Sequence, residues 1–162
     1  PAHANTATAY FAGGCFWCME SAYQEHEGVT DVVSGFIGGT LKNPTYSGRH
    51  DGHYEAVKVT YNPEQVSYRQ LLDFYWVNVD PFDASGQFCD KGFSYRSAIF
   101  VSDNSERTAA QQSLDEVASA FVNRTIATKI LSATEFWPVE ESHQDYYLKN
   151  PIKKQEPSKL NE

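Results

Sequence analysis

The chain has 162 residues, 41% hydrophobic and 14% aromatic, which is enough to bury a core and lies within the usual size of one domain. Lys and Arg number 13 against 21 Asp and Glu, a formal charge of −8, so the basic field that nucleic-acid binding needs is missing. No run approaches the roughly 18 consecutive apolar residues of a membrane helix, and three cysteines at uneven spacing do not make the disulfide framework of a small secreted domain. Redox or catalytic use of the cysteines fits better, with small molecules or proteins as partners.

In chain order, residues 1–7 read as a tail, although Ala2-His3-Ala4 has the small-x-small form of a signal-peptide cleavage region and keeps an exported form open beside a cytoplasmic one. A β-prone run over 8–12 stops at Gly13-Gly14, and the pattern predicts a helix over 16–27 ended by Gly28. Residues 29–37 are rich in β-branched side chains and predict a strand. A long loop over 40–53 follows, carrying Tyr46, His50 and His53, and loops of this length are often functional. A third strand covers 55–61, beginning at the carboxylate Glu55. Ser67-x-x-Gln70 then forms a capping box for a helix that runs toward Pro81.

Residues 80–92 form a second irregular stretch with Cys89 and Asp90, leading to Tyr95-Arg96 and a strand over 97–101. A helix over 105–121, a strand over 126–131 and a helix over 139–149 complete the pattern, with 152–162 as a tail. The expected fold is α+β, a two-layer sandwich with a ferredoxin-like βαββαβ core, a mixed or antiparallel sheet covered by helices, and a C-terminal helix. Residues 1–162 are expected to form a single catalytic domain.

The stretch Gly13-Gly14-Cys15-Phe16-Trp17-Cys18 carries the chemistry. A cysteine at a helix start feels free N–H groups and the positive end of the dipole, which lower a thiol pKa, so Cys15 is placed as a nucleophile. Cys18, three residues on, is within disulfide reach. Three readings fit this Cys-x-x-Cys: a buried structural pair, a zinc site completed by Cys89 and a histidine, or thiol redox catalysis. The zinc reading lacks a second Cys-x-x-Cys or a spaced His pair.

Gly14-Cys15-Phe16-Trp17, Gly52-His53-Tyr54-Glu55 and Gly92-x-x-Tyr95-Arg96-Ser97 resemble the signature segments of the type A peptide methionine sulfoxide reductases, as do Asn43-Pro44-Thr45-Tyr46 and Glu140-x-x-His143-Gln144-x-x-Tyr147. The likeness runs from about residue 11 to 151. It implies that Cys15 attacks the sulfur of methionine S-sulfoxide, free or in proteins, while Glu55 acts as general acid. By the same resemblance Tyr46 and Tyr95 hydrogen-bond the sulfoxide oxygen, Phe16 and Trp17 form the cage for the methyl group, and Asp90 orients the substrate. His53 and Arg96 lie inside matched motifs and serve either the substrate or the loop, and His143 is structural.

The resemblance implies thioredoxin as reductant, no cofactor and no metal, and the neutral expectation is a monomer. Many relatives carry recycling cysteines in a C-terminal tail, whereas Ile152-Lys153-Lys154-Gln155 has none. Cys18 and Cys89 are therefore both candidates to resolve the sulfenic acid. The competing function is a thiol–disulfide carrier or redox-sensing module using Cys15 and Cys18, in which Glu55, Tyr46 and Tyr95 share no task.

Overall fold

The β-branched Thr8 and the aromatics Tyr10 and Phe11 favour an extended chain, and residues 7–13 form a strand, β1 (Ala7–Gly13), in the computed structural model, which describes residues 6–87 and 90–149. Helix α1 (Phe16–Gln24) leads to β2 (Val29–Ile37) and β3 (Tyr54–Tyr61), then to α2 (Tyr68–Asn78). A small hairpin, β4 (Gly86–Gln87) and β5 (Asp90–Lys91), precedes β6 (Ser97–Val101) and α3 (Asn104–Ala120). Two edge strands, β7 (Lys129–Ser132) and β8 (Trp137–Pro138), and the single turn α4 (Tyr146–Lys149) follow.

Six strands form one sheet in the order β7-β6-β1-β3-β2-β8. Its four central strands are antiparallel throughout, and β7 joins β6 in parallel, which makes the sheet mixed. The order β6-β1-β3-β2 with α1 and α2 as crossovers matches the split βαβ layout expected from the sequence. Because side chains alternate across a strand, Phe11, Val57, Val59, Ile99 and Val101 face one side, where they pack with residues of α1, α2 and α3. Ala12, Tyr54, Ala56, Ala98 and Phe100 face the other side, covered by Leu131, Ala133 and Phe136 rather than by a helix. Among the described residues, no helix is long and apolar enough to cross a membrane.

Four expectations need correction. The first helix ends at Gln24 instead of Glu27, because the Glu25 and His26 N–H groups both turn back to the Tyr23 carbonyl. The irregular stretch 80–92 contains the β4–β5 hairpin, whose strands are too short to leave an alternating pattern. The strand expected over 126–131 is displaced to Lys129–Ser132, since the Ala127 and Thr128 N–H groups donate to the Pro81 carbonyl before β7 pairs with β6.

The helix expected over 139–149 is instead a 3-10 turn at Glu141–His143 and the one-turn α4. Two observations account for the break. Gln144 spends its side chain on the backbone of Ser34 and Val139, and Asp145 adopts a left-handed φ of 53°. The Ala2-His3-Ala4 motif, Cys89 and the tail 152–162 lie outside the described residues.

Candidate active site

The ends of three strands converge beside Cys15. Gly13 of β1 pairs with Ser97 of β6, which brings Tyr95 and Arg96 to that end of the sheet. On its other edge β1 pairs with β3, Phe11 opposite Val57, and extending this register by two residues sets Glu55 level with Gly13. Glu55 has the parity of Val57 and Val59 and so points toward the helical layer, under the start of α1. The chain turns at Gly14 with φ 91°, a conformation suited to glycine, and a Cβ there would stand 2.7 Å from the Cβ of Gln87. Gly14 therefore lets the turn press against the loop that carries Asp90.

Cys15 is the N-cap of α1 and accepts the Cys18 and Met19 N–H groups on its carbonyl, at 3.2 and 3.3 Å. Its side chain is half-buried while that of Cys18 is exposed. The thiol pKa is raised, contrary to the expectation of a lowered one. A hydrogen bond with the Cys18 side chain is the main cause, then burial and the neighbouring Cys18 and Glu55 charges, and only the Trp17 backbone opposes them. Desolvation and like charge here outweigh the helix start. A cavity of about 130 Å³ lies on the Cys18 side, lined in part by Met19, Asn78, Gln87 and Asp90.

Glu55 is 1% exposed. Its Oε1 accepts the Phe16 N–H at 3.2 Å, and its Oε2 is buried without a hydrogen-bond partner among the described residues. Burial pushes the carboxyl up to about 8; the Phe16 N–H lowers it, and the Asp90 and Cys18 charges add to the rise. Such a group holds its proton at neutral pH and presents a donor. Tyr46 and Tyr95 act on each other's phenols, the Tyr95 side chain opposing the rise at Tyr46. Burial, then the charges of Glu55 and Cys15, push Tyr46 up to about 12, and burial followed by Glu55 also raises Tyr95, so both phenols stay neutral. Asp90 is raised by burial and lowered by Lys91. Cys15, Glu55, Tyr46, Tyr95 and Asp90 thus form one electrostatic cluster.

Aromatic rings close the other side. Phe16 is fully buried and packs 5.8 Å from Tyr46 and 5.6 Å from Phe36. Trp17 stacks on Tyr46 at 5.4 Å, His143 at 5.7 Å and Tyr146 at 3.8 Å. The buried Trp17 Nε1 and His143 Nδ1 lack hydrogen-bond partners among the described residues. The role of Tyr146 in this wall was missed from sequence; its spacing from Trp17 carries no local signal.

His53 is fully buried, and both ring nitrogens are engaged in the loop: the Gly39 N–H donates to Nδ1 at 3.2 Å, leaving Nε2 to donate to the Leu41 carbonyl at 2.8 Å. His50 adds a contact from Nδ1 to the Thr45 carbonyl at 3.0 Å. These bonds shape the loop that presents Tyr46. Arg96 lies over the Phe93 ring at 3.8 Å and donates to the Tyr54 hydroxyl at 3.2 Å, a position that braces the turn carrying Tyr95.

The sequence profile described as peptide methionine sulfoxide reductase matches residues 7–161. A peptide methionine sulfoxide reductase, MsrA 2, from Caulobacter vibrioides is 50% identical over 150 residues, covering 91% of this chain and 76% of its own. Methionine sulfoxide reductase A of Corynebacterium diphtheriae superposes with TM-score 0.78 at 34% identity, over 91% of this chain and 76% of that one. Reduced Mxr1 from Saccharomyces cerevisiae gives 0.83 at 30% identity, over 91% and 87%. The same yeast protein solved in complex with Trx2 gives 0.61 at 22% identity, over 88% and 86%, a likeness of fold. A profile match over nearly the whole chain, with the family's motifs gathered at one end of the sheet, places the chain in the peptide methionine sulfoxide reductase family.

Proposed function

We propose that this chain reduces methionine S-sulfoxide, free or in proteins, to methionine, with Cys15 as nucleophile and Glu55 as general acid. The observation that carries the reading is the Glu55 carboxyl, buried beside Cys15, with Oε2 unpartnered among the described residues and its pKa pushed up to about 8. A proton held there is what the sulfoxide oxygen needs as its bond to sulfur breaks. Tyr46 and Tyr95 offer hydroxyls to the same oxygen, Phe16 and Trp17 offer apolar surface to the methyl group, and Asp90 orients the substrate through water. His53 contributes by fixing the Tyr46 loop. In a thiol–disulfide carrier Glu55 and the two tyrosines would share no task, so their grouping with Cys15 favours the reductase.

Cys15 enters as a thiol and gives up its proton as it attacks. Its sulfur takes the oxygen as a sulfenic acid, the substrate leaves as a thioether, and the thiol hydrogen balances the new hydroxyl. Attack by a second thiol expels water and forms a disulfide. Cys18, one helical turn from Cys15 and acting on its thiol, is the first candidate, and Cys89 the second. A protein dithiol then takes up the oxidation as its own disulfide. Thioredoxin is the reductant this reading names, in keeping with the relative solved with Trx2, and thioredoxin dependence fits the cytoplasm. A monomer whose single catalytic domain carries the cycle is part of this reading, and the scheme calls on no cofactor.

The test is single-turnover reduction of each sulfoxide epimer without added reductant, with thiols counted afterwards. One methionine formed and two thiols lost are expected with the S epimer, and none with Cys15→Ser. Reduction confined to the R epimer would overturn the assignment. The resolving thiol is the one of Cys18→Ser and Cys89→Ser that still yields methionine but loses one thiol only.

A further inference from the structure

Glu20 follows Trp17 by one turn of α1, is 1% exposed, and takes no part in the steps above. Its Oε1 accepts the Ser34 hydroxyl at 2.6 Å, and its Oε2 accepts the Asp145 backbone N–H at 2.9 Å and the Gln24 amide at 3.3 Å. The Gln24 amide also donates to the Asp145 carboxylate, so the two acidic groups are bridged rather than left facing each other. The segment they hold has little regular structure of its own. It joins a 3-10 turn to α4, with Asp145 in the left-handed region, where a non-glycine residue persists only if its surroundings enforce it.

Two anchors do so. The Gln144 amide bonds the Ser34 backbone in both directions at 2.9 Å, and Glu20 holds the next residue. The flanking residues, His143 and Tyr146, supply two of the three rings that stack on Trp17, Tyr46 being the third. A buried carboxyl costs stability that an apolar side chain would not, and burial pushes this one up to about 7. What it supplies in return is a fixed position for the Asp145 backbone.

We propose that Glu20 is a positioning residue for the sulfoxide pocket, holding Asp145 so that His143 and Tyr146 wall the Trp17 ring. The inference rests on the reading of Trp17 as part of that pocket. The test compares Glu20→Asp, which withdraws the carboxylate by one methylene, with Glu20→Gln, which keeps length and an acceptor oxygen. Both are made in a Trp76→Phe, Trp137→Phe background that leaves Trp17 as the sole tryptophan.

Without substrate, Glu20→Asp is expected to shift Trp17 emission to the red as the stack loosens. It should raise the sulfoxide concentration for half-maximal single turnover about five-fold, the scale of one lost hydrogen bond, with the maximal rate changed less than about two-fold. Glu20→Gln should resemble the parent in all three. Unchanged emission and half-saturation in Glu20→Asp, or equal impairment of the two variants, would overturn the proposal. The emission is read without turnover, so a shifted emission in a protein whose parent reduces no sulfoxide would sink the function instead.

Discussion

With its carboxyl pushed up to about 8 by burial, Glu55 loses its proton within the range where the reaction can be assayed, whereas the raised Cys15 thiol keeps its own there. The acid form is the one present below the folded pKa. The single-turnover rate is therefore expected to fall as pH rises through about 8, and the descending limb should vanish in Glu55→Gln. That variant should react about 10²-fold more slowly or worse, the usual scale for removing a general acid. A wild-type rate that climbs steadily through pH 9 would show that thiolate formation limits the reaction and that the carboxyl is not the acid. The motifs around Cys15, Glu55, Tyr46 and Tyr95 made this cluster legible as a set of residues. The direction of the Cys15 shift was not legible, because a dipole argument is local whereas burial and the Cys18 contact depend on the folded surroundings. Glu20 had a usable signal: it falls at the spacing of Phe16, Met19 and Tyr23, a carboxyl on the buried stripe of its helix.

Among the elements, α2 owes its start to both halves of a capping box, Gln70 N–H to the Ser67 hydroxyl at 3.0 Å and Ser67 N–H to the Gln70 side chain at 2.8 Å. Ser67→Ala is expected to lower unfolding free energy by about 1 kcal/mol in urea titration, without altering turnover. Gly14→Ala should do both kinds of damage, since it strains a φ of 91° and drives a methyl into Gln87. Its unfolding midpoint should drop, and its single-turnover rate should drop with it, because the turn carrying Cys15 must shift. Retention of full activity would contradict the tight seating of that turn. The four central strands and the cap could be read from sequence because β-propensity, alternation over 55–61 and capping are all short-range signals. The segment 139–149 could not, since its shape is set by bonds from Gln144 to Ser34 and from Asp145 to Glu20, each spanning more than 100 residues.

At the scale of the molecule, two buried carboxyls set a pH dependence of stability. Burial raises Glu20 from 4.5 to about 7 and Glu55 from 4.5 to about 8, so the folded state binds these protons more tightly than the unfolded chain does. Their contribution is complete below the unfolded value and is lost as pH rises from about 4.5 toward 7 and 8. The urea midpoint is expected to decline across that interval, and Glu20→Gln and Glu55→Gln should each flatten the decline; a midpoint that rises from pH 5 to 8 in the wild type and is unaffected by either variant would refute it. The sheet order has a further consequence, for how the chain reaches this state. Strand β1 is made early yet occupies the middle of the sheet, between β3 and β6. Both its hydrogen-bonding edges stay open during synthesis until residues 54–61 and then 97–101 emerge, so the nucleophile's turn is completed only after long loops have closed. Slow, topology-limited folding with a transiently exposed central strand follows, and with it a period in which chaperone binding or aggregation competes with assembly of the site.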